Sequence, residues 1–179
     1  MLTPQKLLKR AIACTATAAM AAVTLMVSTA SATTHHAPHV ATKAEPTTTC
    51  GSKFSLYSEG RWTYTEARFC LATDGSQLWP VLEFSECQYY WGGAWYYAKA
   101  KYPCGFDFAY TVTRNGQDLL DSSSSGSGGP GGVVEGNSTG CAGPGNYTLR
   151  ARYVLSGPYW TDTQINSGYR TYNLNVPCG

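Results

Sequence analysis

The chain has 179 residues, with 13 Lys and Arg against 11 Asp and Glu and a formal charge of +2. Three of the cations, Lys6, Lys9 and Arg10, precede an Ala/Thr/Val/Met-rich run from Ala11 to Val27 and the small-residue sequence Ala30-Ser31-Ala32, which predicts a secretory signal peptide over 1–32. Its removal leaves 147 residues with 10 basic and 11 acidic side chains, so no basic cluster remains to neutralise phosphates and no nucleic-acid partner is expected.

The apolar run of the leader is diluted by Thr15, Thr17 and Thr24 and falls short of the roughly 20 apolar residues of a spanning helix. No membrane insertion is expected once it is cleaved. Cys14 precedes that run, where a lipidation site would follow it, and Lys9-Arg10 is not a twin arginine, so general secretion is expected. The mature chain is then extracellular, either free or associated with the cell surface. Residues 33–49, rich in Thr, Ala and Pro, read as a disordered linker. All three histidines, His35, His36 and His39, fall there. Cleavage after Ala32 would expose Thr33-Thr34-His35, whose amine, backbone nitrogens and imidazole suit Cu(II) or Ni(II). Apart from that terminus, no metal and no cofactor is expected.

Six cysteines follow the linker, Cys50, Cys70, Cys87, Cys104, Cys141 and Cys178, an even set that predicts three disulfides in an oxidising compartment. None forms the C-x-x-C spacing of a zinc knuckle. Six cysteines allow 15 pairings. Cys141 to Cys178 is the preferred one, and Cys87 to Cys104 requires the hairpin between them to end early. With no histidine and no expected free thiol after Cys50, Ser-His-Asp and Cys-His catalysis lose their bases. Enzyme chemistry would have to come from two carboxylates among Glu59, Glu66, Asp74, Glu83, Glu86, Asp107, Asp118, Asp121, Glu135 and Asp162, and no spacing singles out a pair.

Residues 50–179 suffice for one core. Arg61 to Leu71 and Leu78 to Cys87 are strand-like, with a slip in alternation of the kind a bulge causes, and Pro80 suggests an edge or strand start. Next comes Gln88-Tyr-Tyr-Trp91-Gly92-Gly93-Ala94-Trp-Tyr-Tyr97, two aromatic runs around a glycine pair that suits a two-residue hairpin turn. That turn pairs Trp91 with Ala94, Tyr90 with Trp95, Tyr89 with Tyr96, Cys87 with Ala98 and Glu86 with Lys99. One face then carries Cys87, Tyr89, Trp91, Ala94, Tyr96 and Ala98 and reads as core. The other carries Glu86, Gln88, Tyr90, Trp95, Tyr97 and Lys99 and reads as a binding platform.

Phe106, Phe108, Tyr110 and Val112 alternate with polar or small residues up to Asn115-Gly116, a second turn signal. Residues 121–132, Ser and Gly for the most part, read as a flexible loop. Asn137 and Asn146 lie in glycosylation acceptor patterns, which would stay bare behind so bacterial a leader. After Gly143-Pro144-Gly145, the alternation of Tyr147, Leu149, Ala151, Tyr153 and Leu155 points Arg150 and Arg152 outward. The last strand sets Tyr172, Leu174 and Val176 inward.

Short strands between turns predict an all-β fold, a single disulfide-stapled antiparallel β-sandwich. Gly145-Asn146-Tyr147-Thr148-Leu149, leading into a strand, resembles the closing strands of small secreted bacterial immunoglobulin-like domains, without their Cys to Trp to Cys signature. The resemblance implies an architecture and no activity. The function expected is a secreted non-enzymatic binding module that recognises an extracellular glycan or polymer through Tyr90, Trp95, Tyr97, Gln88 and Glu86. The alternative is a secreted protein-interaction or inhibitor domain, ahead of a carboxylate-based hydrolase.

Overall fold

The computed structural model describes residues 45–159 and 164–179. The expected signal peptide, most of the expected linker with its three histidines, and Asp162 lie outside the described residues. The described part is all-β, with no α-helix among the described residues. Its strands are β1 (Thr47–Cys50), β2 (Phe54–Tyr57), β3 (Thr63–Thr73), β4 (Gln77–Trp91), β5 (Ala94–Tyr97), β6 (Cys104–Arg114), β7 (Gln117–Gly128), β8 (Gly132–Glu135), β9 (Thr139–Gly140), β10 (Gly145–Ser156), β11 (Ile165–Asn166) and β12 (Arg170–Val176).

They form two antiparallel sheets. In the first, the long β3–β4 hairpin is central. β1 and β2 lie end to end along the far edge of β3, while β9, β8 and β5 lie end to end along β4. In the second, the order is β7, β6, β10, with β12 and β11 sharing the remaining edge of β10. The inward residues of both sheets make one core. Phe69 of β3 stacks on Phe108 of β6 at 5.7 Å, and Phe84 of β4 on Phe106 at 4.2 Å. Burying each such ring contributes roughly 1.5–3 kcal/mol, and this cross-sheet burial is what the period-two patterns of β6 and β10 encode.

The turns follow their sequences. Asn115 and Gly116 (φ 52° and 78°) and Gly92 and Gly93 (φ 56° and 91°) take the left-handed conformations of tight hairpins. The bulge falls at Ser85: Glu66 pairs with Glu86 and Ala67 with Phe84, leaving Ser85 unpaired. Before it the even-numbered Leu82 and Phe84 point inward; after it the odd-numbered Cys87 does. At the start of β10 the Tyr147 hydroxyl donates to the Gly143 carbonyl at 2.7 Å and accepts the Ala142 N–H at 3.1 Å.

The three disulfides are Cys50–Cys70, Cys87–Cys104 and Cys141–Cys178. Three disulfides belong to an oxidising environment. Cys87–Cys104 forms because the aromatic hairpin does end early. After Ala98 pairs back to Cys87, a bridge between Lys99 and Tyr102 reverses the chain and returns Cys104. Lys99 therefore does not face Glu86.

Three other expectations are corrected. Residues 121–128 of the supposed flexible loop are strand, paired along β6 from Asp121 opposite Thr111 to Gly128 opposite Cys104. Their small side chains are what the packing requires: a Cβ on Gly126 would sit 2.8 Å from Val134, and one on Gly128 only 2.3 Å from the Phe84 ring. Thr47–Thr49, placed in the linker, belong to β1, because β3 offers them a free edge. Pro80 is the fourth residue of central β4 and not its start. Its carbonyl accepts the Gly136 N–H on the side of β8 and β9, so its missing N–H falls in the gap between those two short strands.

Candidate functional site

The hairpin register is as the glycine pair dictates, with Gln88 opposite Tyr97, Tyr89 opposite Tyr96, Tyr90 opposite Trp95 and Trp91 opposite Ala94. The division of its faces is different from the expected one. Cys87 and Ala98 are in the core, but Tyr89 is half-buried, and Trp91 (60%), Ala94 and Tyr96 are exposed. The inner side of the hairpin is therefore covered only at its base, at Cys87 and Ala98. Beyond the base Tyr89 stacks on Tyr96 at 5.7 Å and meets Tyr159 edge-on at 4.9 Å, and Tyr159 in turn lies 5.1 Å from Tyr102.

The predicted platform face gains three aromatic residues from elsewhere. Tyr90 and Trp95 meet edge to face at 5.5 Å. Tyr57 and Tyr64 close on Trp95 at 5.8 and 6.2 Å, and Trp62 on Tyr90 at 6.2 Å. Strand pairing causes this convergence: Tyr57 lies opposite Tyr64, Tyr64 opposite Gln88, and Gln88 opposite Tyr97, so one cross-strand row runs over four strands on the same face. Tyr97 is exposed at the end of that row.

The segment joining β2 to β3 is held firmly. The buried Ser58 hydroxyl accepts the Trp62 and Thr63 N–H groups at 3.2 and 2.9 Å, and its own backbone pairs with Arg61 and Thr63. The Tyr90 N–H donates to the Trp62 carbonyl at 2.8 Å, fastening the turn to the hairpin. Gly60 (φ 72°) and Arg61 (φ 58°) are left-handed; for Arg61 this costs roughly 1–2 kcal/mol. The Arg61 guanidinium lies 4.5 Å over the Tyr57 ring. Gly60, Arg61, Trp62, Tyr90 and Trp95 line an open cleft of about 260 Å³.

Next to the aromatic residues is a polar row. Gln88 donates to the Glu86 carboxylate at 2.6 Å, and Glu66 lies directly opposite Glu86. Glu66 accepts from the Lys53 ammonium at 2.8 Å and the Ser85 hydroxyl at 2.6 Å, which hold its carboxyl below the usual range. Of the other carboxylates, Glu83 pairs with Arg68, Asp107 accepts from Ser125, Asp121 from Thr111 and Asp74 from Ser76 and Gln77. Cys50, Cys70 and Glu83 gather closely enough to suggest a metal site, but the two sulfurs are bonded to each other and supply no thiolate.

All five residues expected at the site, Glu86, Gln88, Tyr90, Trp95 and Tyr97, therefore share one face. Tyr57, Arg61, Trp62 and Tyr64 were not expected there; their signal in the sequence, aromatic residues on both sides of a Gly-Arg turn, has no meaning until β2 and β3 are paired. No protein-family model, curated protein or solved structure matches the chain.

Proposed function

We propose that the protein is a secreted, non-enzymatic binding module that holds an extracellular glycan or related polymer against the outer face of the β4–β5 hairpin. The observation that carries this reading is the open cleft walled by Trp62, Tyr90 and Trp95, extended by the exposed rings of Tyr57 and Tyr97. Indole and phenol rings offer flat apolar faces with polar rims, which complement the C–H faces and hydroxyl rims of pyranose rings. The hydrogen bonds from Ser58 and Tyr90 fix the site before binding, so little ordering cost falls on the complex. Gln88 and Glu86 supply directional acceptors and donors beside it.

Secretion is supported by the leader pattern and by disulfides that need an oxidising compartment. A non-enzymatic role is supported at Glu66, whose carboxyl Lys53 and Ser85 hold below its usual range, the reverse of the raised pKa that a glycosidase acid needs. An immunoglobulin-like sandwich is supported by the strand order, in which β4 and β8 neighbour each other although β6 and β7 intervene in the chain. The Tyr147 hydroxyl bonded back to Gly143 further matches the tyrosine corner of such domains.

The inner aromatic group of the hairpin favours a second reading, a secreted protein partner that encloses the hairpin. Exposed aromatic residues on both faces would then act as anchors. The test is a pull-down of the oxidised mature protein on insoluble polysaccharides and cell-wall material, beside a folded Trp62→Ala/Tyr90→Ala/Trp95→Ala variant. Retention of the parent and loss of the variant support the glycan module. Retention of neither refutes it in favour of the protein partner, and equal retention refutes the cleft as the site.

A further inference from the structure

Taking the cleft as a glycan site, we infer that its ligand is an acidic sugar polymer and that Arg61 receives the anionic group of the sugar ring. Arg61 lines the cleft with Trp62, Tyr90 and Trp95, and its guanidinium is not committed elsewhere. Its contact is the Tyr57 ring, which attracts the cation but offers its five N–H donors no oxygen acceptor in their plane. Two other cations of this sheet, by contrast, are already paired, Lys53 with Glu66 and Arg68 with Glu83. Among the described residues no carboxylate, that of Glu59 on the same turn included, is paired with Arg61.

The backbone does not account for an arginine here. A left-handed residue following a left-handed Gly60 is adopted at least cost by Gly or Asn, so the turn would form more readily without Arg61. What the position does provide is a rigid mount, because the Arg61 N–H donates to the Ser58 carbonyl at 2.9 Å and Trp62 is tied to β4. A fixed, unpaired guanidinium beside exposed indole rings matches a pyranose that bears a charge: the rings take the sugar face and the planar fork takes the anion in a bidentate pair. A carboxylate and a sulfate ester share this chemistry.

Calorimetry on the oxidised protein tests it with three oligomers of equal length: a galacturonate, its carboxyl-reduced neutral form, and that neutral form sulfated. The parent is expected to bind an anionic oligomer about tenfold more tightly than the neutral one, the scale of one charge-assisted pair. That preference should shrink as salt rises from roughly 0.02 to 0.5 M. Whichever anionic arm binds more tightly identifies the anion. Arg61→Gln should bring the ratio of anionic to neutral affinity close to one, and Arg61→Lys should keep part of it. Equal affinity for charged and neutral oligomers overturns the acidic-ligand assignment, a ratio that survives in Arg61→Gln overturns Arg61 as the group that receives the anion, and either result leaves the glycan site standing. Binding of none of the three by the parent overturns both.

Discussion

Replacing Gly128 by Ala tests whether the Ser/Gly segment is packed strand or loose chain, because the two alternatives predict opposite signs. The backbone of Gly128 is extended, so Ala is conformationally tolerated there. In a loose loop Gly→Ala would stabilise by about 0.4–1 kcal/mol through the unfolded state. In the packed strand the new Cβ falls 2.3 Å from Cζ of Phe84, more than 1 Å inside the roughly 3.5 Å of an ordinary carbon contact. The Phe84 ring has no free space to move into, being buried and stacked on Phe106 at 4.2 Å. Overpacking of this kind costs about 1–3 kcal/mol, and the size of the overlap puts Gly128→Ala toward the upper end, with a fall in Tm of roughly 6–15 °C for a domain of this size. Gly126→Ala, 2.8 and 3.1 Å from the two methyls of buried Val134, should cost about 1 kcal/mol. Ser127→Ala on the exposed side should stay within about 0.5 kcal/mol. Calorimetric melting of the three oxidised variants is the assay. A rise in Tm for Gly126→Ala and Gly128→Ala would refute the packing of β7 against β8 and Phe84.

Other variants test other parts of the structure. Gly60→Ala combines a φ of 72° with a Cβ 2.8 Å from the Trp62 indole nitrogen; it should cost about 1 kcal/mol and shift Trp62 fluorescence, measured against the same change in a Trp62→Phe background. Tyr147→Phe removes the bonds to Gly143 and Ala142 and should lower stability by about 1–2 kcal/mol in denaturant titration. Opening Cys141–Cys178, which spans 37 residues, should cost more than opening Cys87–Cys104, which spans 17, by roughly 0.6 kcal/mol on loop entropy alone. Burial pushes the Tyr153 phenol well above its ordinary pKa, against smaller pulls from Thr65 and Arg170. Both states hold this proton below about pH 10; above it only the unfolded chain releases the proton, so stability should fall by up to about 1.4 kcal/mol per pH unit. Tyr153→Phe should flatten that alkaline decline in pH-dependent unfolding, and an unchanged slope would show that the phenol titrates normally.

Much of the architecture is legible in the residues because the second sheet follows the simplest pattern: Phe106 to Val112 and Tyr147 to Leu155 alternate strictly, and each inward residue is buried. The hairpin register could be read because Gly92-Gly93 admits one tight turn. The Ser/Gly strand could not, since an edge whose inner positions must admit Val134 and Phe84 selects small side chains and carries no apolar alternation. The fate of Tyr89, Trp91 and Tyr96 was equally hidden: they lie on the same side of the hairpin as Cys87, but whether that side is covered depends on where the opposite sheet stops. Tyr57, Arg61 and Trp62 reach the platform through pairings between β2, β3 and β4, which no local pattern records.

The unpaired Ser85 has a consequence for how this surface tolerates change. Every side chain of β4 beyond it owes its direction to that one extra residue. Were Ser85 paired in a regular ladder instead, Glu86, Gln88 and Tyr90 would turn toward the interior and Cys87 outward, away from Cys104, whereas deleting it would leave each of them on its present side. The Cys87–Cys104 bond can close only in the phase that also displays Tyr90 to solvent. Oxidative folding therefore proofreads the reading frame of the strand, and a chain that slipped by one residue would betray itself as a free thiol pair before it could present the wrong face.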